Sequence, residues 1–523
     1  MPTAIPFVYP MRLAASRSQL IAAAVITLSV ILFYRFGFHM SGLRMDEALL
    51  LVYPDQISKG RLPYRDFESY YGPGSFWLLA VVYKIFGISV GVERIVGLIY
   101  RIALALAFFF LASRWSIALG SIAALLCVWL ALPLHLVALA WLPAVALALW
   151  SFWWGQPVDS PSEASIPWRD LVSGVLAGIS LLFRQDIGLA VAAAGGLLLF
   201  GKSWRQRRWY CAGFLVALFP LGLLALIIGI RPIVENLFVH PIVVSSAGRR
   251  LPVTGPFFAY SLVSIGIGVV ALLASLTAIR RGIAQSSAKL LLVVSVFALA
   301  LSSQALQRAD EVHLAMFACI SVPWAFVCIS FLSSSWRPKW NVFIVMVVTL
   351  AVLLGLISFA QPKLLRDGRS VLLALFRSDL GIPPVATIRG REFPAGNAED
   401  VRAINLICER LLQEGSQGQR LFVGPRDLRR AICNDTFLYY LLPDFTPASY
   451  FLEMNPLSAN GPHSHLADEL KTADWIILTT MWDNWIEPNA SSQLGPDTPL
   501  RVVATEFILI AHEGAYSLFQ RKR

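Results

Sequence analysis

Arg44-Met45-Asp46-Glu47 sets two adjacent carboxylates just beyond a long apolar run. Acids at a lipid–water boundary are costly unless they are solvated, paired or used. Solvation is the ordinary fate of loop acids, but the company these two keep is unusual. The same segment continues through Pro63-Tyr64-Arg65-Asp66-Phe67-Glu68, Tyr70-Tyr71-Gly72-Pro73-Gly74 and Phe76-Trp77. It closes on Lys84-Ile85-Phe86-Gly87, with Glu93-Arg94 following. Carboxylates in such a setting can serve as proton acceptors. Two other clusters supply cations, Phe183-Arg184-Gln185-Asp186 and the stretch from Gln307 through Arg308, Asp310 and Glu311 to His313. A guanidinium grips phosphate through two parallel hydrogen bonds, and a histidine adds another donor. The alternative is structural: Arg184 pairs with Asp186, Arg308 pairs with Asp310 or Glu311, and His313 packs or caps. Arg249-Arg250 suits an anionic substrate or, more simply, lipid headgroups.

The elements that must position these groups are membrane helices. Of 523 residues 57% are hydrophobic and only 14% are charged, against about 25% charge in a soluble domain. The apolar residues come in blocks such as "NVFIVMVVTLAVLLGLISFA", and about 20 such residues cover a bilayer core. Candidate spans fall at roughly 19–36, 91–112, 116–133, 136–154, 171–184, 187–200, 210–230, 257–279, 290–305, 312–333 and 340–360. The fold expected is thus a polytopic α-helical membrane protein of about eleven spans. The first run has no cleavage site after it and reads as a retained span.

The net charge of +11 points to membrane sidedness rather than nucleic acid. Arg12 and Arg17, Arg114, Arg169, the 202–208 run, Arg280-Arg281 with Lys289, and Arg337 with Lys339 occupy alternate short loops. The positive-inside rule puts these in the cytoplasm, with the N-terminus. Segment 37–90, Arg184-Gln185-Asp186, the 231–256 loop, 307–313 and everything after 361 then share the opposite face. Within 37–90, the short apolar stretch 75–86 reads as an interfacial helix.

After a linker, 361–396, the composition becomes that of a small soluble α/β domain, 397–523, beyond the transmembrane part, 1–360. Helices are expected at 398–413 and 466–470, and strands at 420–424 and 474–480. The 501–520 run reads as a strand hairpin turning at Glu513-Gly514. Cys408 and Cys433 lie in this domain, where a disulfide between them is expected if it faces an oxidising compartment. The tryptophans Trp475, Trp482 and Trp485 suit a small core, membrane contact or sugar stacking, the first being the simplest.

The order "MDEALLLVYPDQISKGRLPYRDFESYYGPGSFWLLAVVYKIFG…ER" resembles the first outer loop of the polyprenyl-phosphate-sugar-dependent glycosyltransferases of the C superfamily. That group includes the lipid A aminoarabinose transferase, rhizobial galacturonosyltransferases and protein O-mannosyltransferases. Its members have an acidic pair ending the first helix, a Gly and Pro further on, an acid before an aromatic Pro-containing segment, and Phe-Gly before the second helix. The resemblance covers the first hundred residues; beyond them only span number and sidedness agree.

The resemblance implies a membrane glycosyltransferase moving a sugar from a polyprenyl phosphate to a cell-envelope acceptor. The base would be Asp46, with Glu47 orienting it or replacing it, and Asp66 or Glu68 would be the second loop carboxylate holding acceptor or metal. Arg184, Arg308 and His313 would hold the donor phosphate. A divalent metal on Asp46, Asp66 or Glu68 is allowed but not required. The setting implied is a bacterial inner membrane with the tail extracytoplasmic. A transporter or flippase of a lipid-linked glycan is the main rival. It would place polar groups and broken helices at mid-membrane in repeated halves, a pattern absent from this sequence. A non-catalytic glycan-assembly protein would use the same arginines.

Overall fold

The computed structural model describes residues 15–156, 167–282, 285–334, 339–360 and 383–523, with a few isolated positions at 364–371. Arg12, Arg337 and half of the expected 361–396 linker lie outside the described residues.

A helix occupies every one of the eleven segments read as spans: Arg17–Tyr34, Val90–Ala112, Ile117–Leu130, Trp141–Gly155, Pro167–Phe183, Gln185–Leu199, Trp204–Ile228, Pro256–Arg280, Gln285–Ala300, Glu311–Ser334 and Lys339–Ala360. Among the described residues, six helical stretches are individually long and apolar enough to cross a bilayer. The chain is a multi-pass integral membrane protein, and its outer helices need lipid. On Trp204–Ile228, Leu226 is 84% exposed, and Leu215, Val216 and Phe219 are exposed with it. Water would not tolerate that stripe, whereas hydrocarbon does.

Between the helices, small residues set the spacing. A Cβ at Gly213 would run into the backbone of Leu171, so Pro167–Phe183 and Trp204–Ile228 meet backbone to backbone. In a bilayer such close approach replaces the hydrophobic drive that lipid removes. The irregular chain at 131–140 needs partners for its carbonyls. Arg101 donates to Leu134, His135 and Val137 oxygens and lies over the Tyr34 ring, at 5.0 Å. Glu93 accepts from the Ala138 amide at 2.5 Å.

The segment 37–90 is itself largely helical, with Asp46–Ser58 and Gly74–Phe86. The second is the expected short apolar helix, and it leaves Leu78, Val81, Ile85 and Phe86 exposed.

The tail is an α/β unit. Strands β1 (Val385–Ile388) and β2 (Arg391–Pro394) form a hairpin within the stretch expected to be linker. It turns at Arg389-Gly390, both at positive φ. The main sheet comprises β3 (Arg420–Pro425), β4 (Thr446–Pro447), β5 (Trp475–Thr479), β6 (Phe507–Glu513) and β7 (Tyr516–Arg521), in the order β4-β3-β5-β7-β6. β3, β4 and β5 are parallel, and β7 is antiparallel to both neighbours.

Both faces of this sheet are covered. Leu421, Val423, Ile477 and Leu518 pack with the Ala398–Glu414 helix in a core continuous with the helical part. Phe422, Ile476, Leu478, Val502 and Phe507 form a second core on the other face. The hairpin at 513–514 is as the sequence suggested, but Thr498–Glu506 is a helix rather than strand. Pro499 stands in its first turn, where the missing N–H costs nothing.

Candidate active site

Asp46 opens the Asp46–Ser58 helix, where a carboxylate complements the partial positive charge of the helix start. Its side chain is open to solvent, yet protein crowds it closely enough that desolvation raises its pKa above the usual carboxylate value. Such a group lines a wetted recess rather than the outer surface. Arg249, His313 and Arg308 pull the pKa back toward the charged form, and Asp310 opposes them. Among the described residues, the Asp46 carboxylate accepts no hydrogen bond.

Glu47 is in a different position. It is fully buried, accepts from Arg94 Nε at 2.6 Å and Nη2 at 3.1 Å, and takes the Leu43 amide at 3.0 Å. Its oxygens are committed to holding the helix start against Val90–Ala112.

Asp66 and Glu68 also part company. Asp66 is held by Arg65 through two bonds, at 2.9 and 2.7 Å, and by the Leu62 amide at 2.7 Å. It closes a turn. Glu68 is fully buried and faces inward. It accepts from Asn455 Nδ2 at 3.0 Å and from the Ser458 hydroxyl, with His240 Nδ1 at 3.5 Å. Asp46, Asp66 and Glu68 therefore do not converge on one point. Among the described residues no three His, Cys, Asp or Glu side chains are placed to hold an ion, so this donor set does not fit the metal that the resemblance allowed.

Arg249, His313 and Arg308 lie within electrostatic reach of Asp46, and Arg184 within reach of Arg249. Arg184 is clasped by Asp186, with Nε at 3.0 Å and Nη2 at 2.7 Å, and lies over the Tyr71 ring at 5.5 Å. Tyr71 is positioned by the Tyr-Gly-Pro-Gly turn. A Cβ at Gly72 would run into the Leu182 carbonyl, so only glycine lets this loop seat against the end of Pro167–Phe183, beside Arg184. Arg308 bonds Asp310 at 2.8 Å and grips both oxygens of Glu487 in the tail. Asp310 also accepts from the His313 amide at 2.9 Å, and its other contact is His313 Nδ1, at 2.8 Å. Both structural pairings weighed from sequence, Arg184 with Asp186 and Arg308 with Asp310, are thus present, without removing these cations from the recess.

Arg249 differs from them. Among the described residues it forms no ion pair; it donates to Asn455 Oδ1 at 3.2 Å and lies over Tyr70 at 5.0 Å. It faces the recess, while Arg250 is exposed. Sequence reasoning weighed Arg249 with Arg250 for an anionic substrate or lipid headgroups and left it out of the phosphate set; it passed over Glu453 and Asn455, which nothing local marked.

The tail is clasped to this assembly. Arg44 donates to Tyr516 at 2.7 Å and to the Ala395 carbonyl at 2.9 Å, pairs with Asp400 and Asp435, and lies over Phe437. The backbone joins too, through Gly42 N to Pro394 O at 2.7 Å and Glu68 N to Tyr450 O at 2.8 Å. The tail and the 37–90 segment therefore share one face. The expected Cys408–Cys433 disulfide is absent, and both are free thiols. Cys408 is buried in the core under Ala398–Glu414, whereas Cys433 lies within electrostatic reach of Asp46 and Arg308.

This arrangement of helices and docked α/β tail is a fold shared with solved membrane glycosyltransferases of the C superfamily. The chain matches ArnT from Cupriavidus metallidurans bound to undecaprenyl phosphate, with TM-score 0.52 and 14% identity over 97% of this chain and 98% of that one. Apo ArnT gives TM-score 0.55, also at 14% identity, over 96% and 98% of the two chains. Arabinofuranosyltransferase AftD from Mycobacteria gives TM-score 0.51 at 12% identity, over all of this chain and 41% of that larger one. No family model and no curated protein matches the sequence.

Proposed function

We propose that this chain is a membrane glycosyltransferase that takes a sugar from a polyprenyl phosphate. The observation that carries the reading is the Asp46 carboxylate, which among the described residues accepts no hydrogen bond and stands in the electrostatic field of Arg249, His313 and Arg308. That recess sits in a fold whose structural neighbour ArnT was crystallised with undecaprenyl phosphate.

In this reading Asp46 takes the proton of an acceptor hydroxyl or amine as its heteroatom attacks the anomeric carbon. The bond from that carbon to the phosphate oxygen breaks, and its electron pair leaves with the lipid phosphate. A phosphate leaving group needs cations more than a proton, and Arg249, Arg308 and Arg184 are placed to supply them. Partial exclusion of water strengthens their attraction for the departing charge. The lipid enters between helices, and the acceptor comes from the aqueous side beneath the tail, on the outer face of a bacterial inner membrane.

The test is transfer from a labelled polyprenyl-phosphate sugar into an envelope glycan fraction. Asp46→Asn is expected to lower transfer by about 10²–10⁴-fold with the thermal midpoint unchanged. Equal transfer by variant and wild type would sink the base assignment. No transfer across a broad panel of donors and acceptors would sink the enzymatic reading.

A further inference from the structure

A short segment of the tail, 453–458, reaches the recess at Glu68 and Arg249. Met454 and Leu457 there adopt positive φ, 53° and 65°, which residues with a Cβ avoid unless their surroundings enforce it. That backbone delivers Asn455. Its Nδ2 donates to Glu68 Oε2 and to Glu453 Oε2, each at 3.0 Å, while its Oδ1 accepts from Arg249 at 3.2 Å. One amide thus ties two acids and a cation together, with both of its N–H donors used. Ser458 holds the other Glu68 oxygen, and Pro456 packs on Gly248, next to Arg249.

Glu453 is only 3% exposed and, among the described residues, is in no ion pair. The groups around it are Arg249, Asn455, Glu68 and Asp46, with the Tyr53 and Tyr71 phenols nearby and His240 beyond Glu68.

We propose that segment 453–458 is part of the donor site: Asn455 is a positioning residue that aims Arg249 at a lipid phosphate, and Glu453 is an acid that, once ionised, competes with that phosphate for Arg249. The inference rests on reading the recess as a lipid-phosphate site. Burial raises Glu453 to about 7; Arg249 and the Asn455 amide favour its anion, while Glu68 and Asp46 oppose it. Around neutrality, therefore, Glu453 changes from a neutral neighbour of Arg249 to a rival for it.

The test is binding of undecaprenyl phosphate to the full-length protein in nanodiscs, from about pH 6 to 8. Glu453→Gln is expected to bind like wild type at the acid end and several-fold tighter at the alkaline end. The ratio of the two cancels the lipid's own ionisation. Asn455→Ala is expected to bind about tenfold more weakly. It also moves the alkaline loss of affinity to higher pH, because Glu453 loses the donor that favours its anion. A merely structural Asn455 would not move that profile. A Glu453→Gln ratio that is flat with pH overturns the competitor role, and wild-type binding by Asn455→Ala overturns the positioning role. Failure of the wild type to bind overturns the lipid-phosphate reading itself, and this inference with it.

Discussion

Arg94 closes a two-pronged ion pair on Glu47, at 2.6 and 3.1 Å, one residue along the chain from the unpaired carboxylate of Asp46. Adjacent acids of the same helix turn thus have opposite fates. Both Glu47 and Arg94 are buried, and removing one partner of such a pair typically costs about 3–5 kcal/mol. Glu47→Ala is therefore expected to lower the thermal midpoint markedly, which Asp46→Asn should not do. Equal midpoints for Glu47→Ala and wild type, measured in the same detergent, would show that this pair does not hold the helix start.

The sequence contains six cysteines, and all six are free. Chemical denaturation without reductant should expose six titratable thiols, and reductant should leave the thermal midpoint unchanged. A count of four would restore the Cys408–Cys433 bridge.

Asp310 gives a pH signature. Burial alone would raise its pKa, but the hydrogen bonds and charge of His313, with Arg308, outweigh that and hold it at about 2, below its ordinary value of 3.8. A depressed carboxylate contributes stability that is fully present above the unfolded pKa and is lost as pH falls through the folded one. The contribution should therefore fade between about pH 4 and about pH 2. Asp310→Asn should show a shallower acid limb in thermal unfolding against pH; an unchanged limb would remove the assignment.

Arg308 joins the membrane part to the tail through Glu487. Arg308→Ala and Glu487→Ala should each speed hydrogen exchange in the tail near 481–487. Their double variant should be less destabilised than the sum, by about 1–3 kcal/mol. Additive effects would mean that the pair carries no docking energy.

Much of the fold could be read from residue order because lipid imposes strong rules. Long apolar blocks gave helices at all eleven expected places, and short continuous apolar runs marked β3 and β5. The hairpin at β1 and β2 escaped notice because four-residue strands among Pro and Gly carry no periodic signal. Arg501–Glu506 was misread because Val502 and Val503 favour strands locally, whereas their packing with Leu466 and Leu470 favours a helix.

The site was legible only in part. Asp46 and the cations stood out through type and position. Nothing local could show that Asp66 would be tied to its own neighbour Arg65 while Glu68 turned inward. The partners of Glu68 are Asn455 and Ser458, 387 and 390 residues away in the chain, and pairings at such distances are set by tertiary assembly.

The clasp of Arg44 on Asp435 spans 391 residues. A ribosome adding roughly 5–20 residues per second needs about 20–80 s to make the second partner after the first. Until the tail is made Arg44 waits without Asp400 and Asp435, and Glu68 without the amide and hydroxyl that will hold it. Completion of the recess thus waits on the tail, long after its first residues are made. A chain cut short before the tail would be an unfinished site with stranded charges, not a smaller working version of the protein.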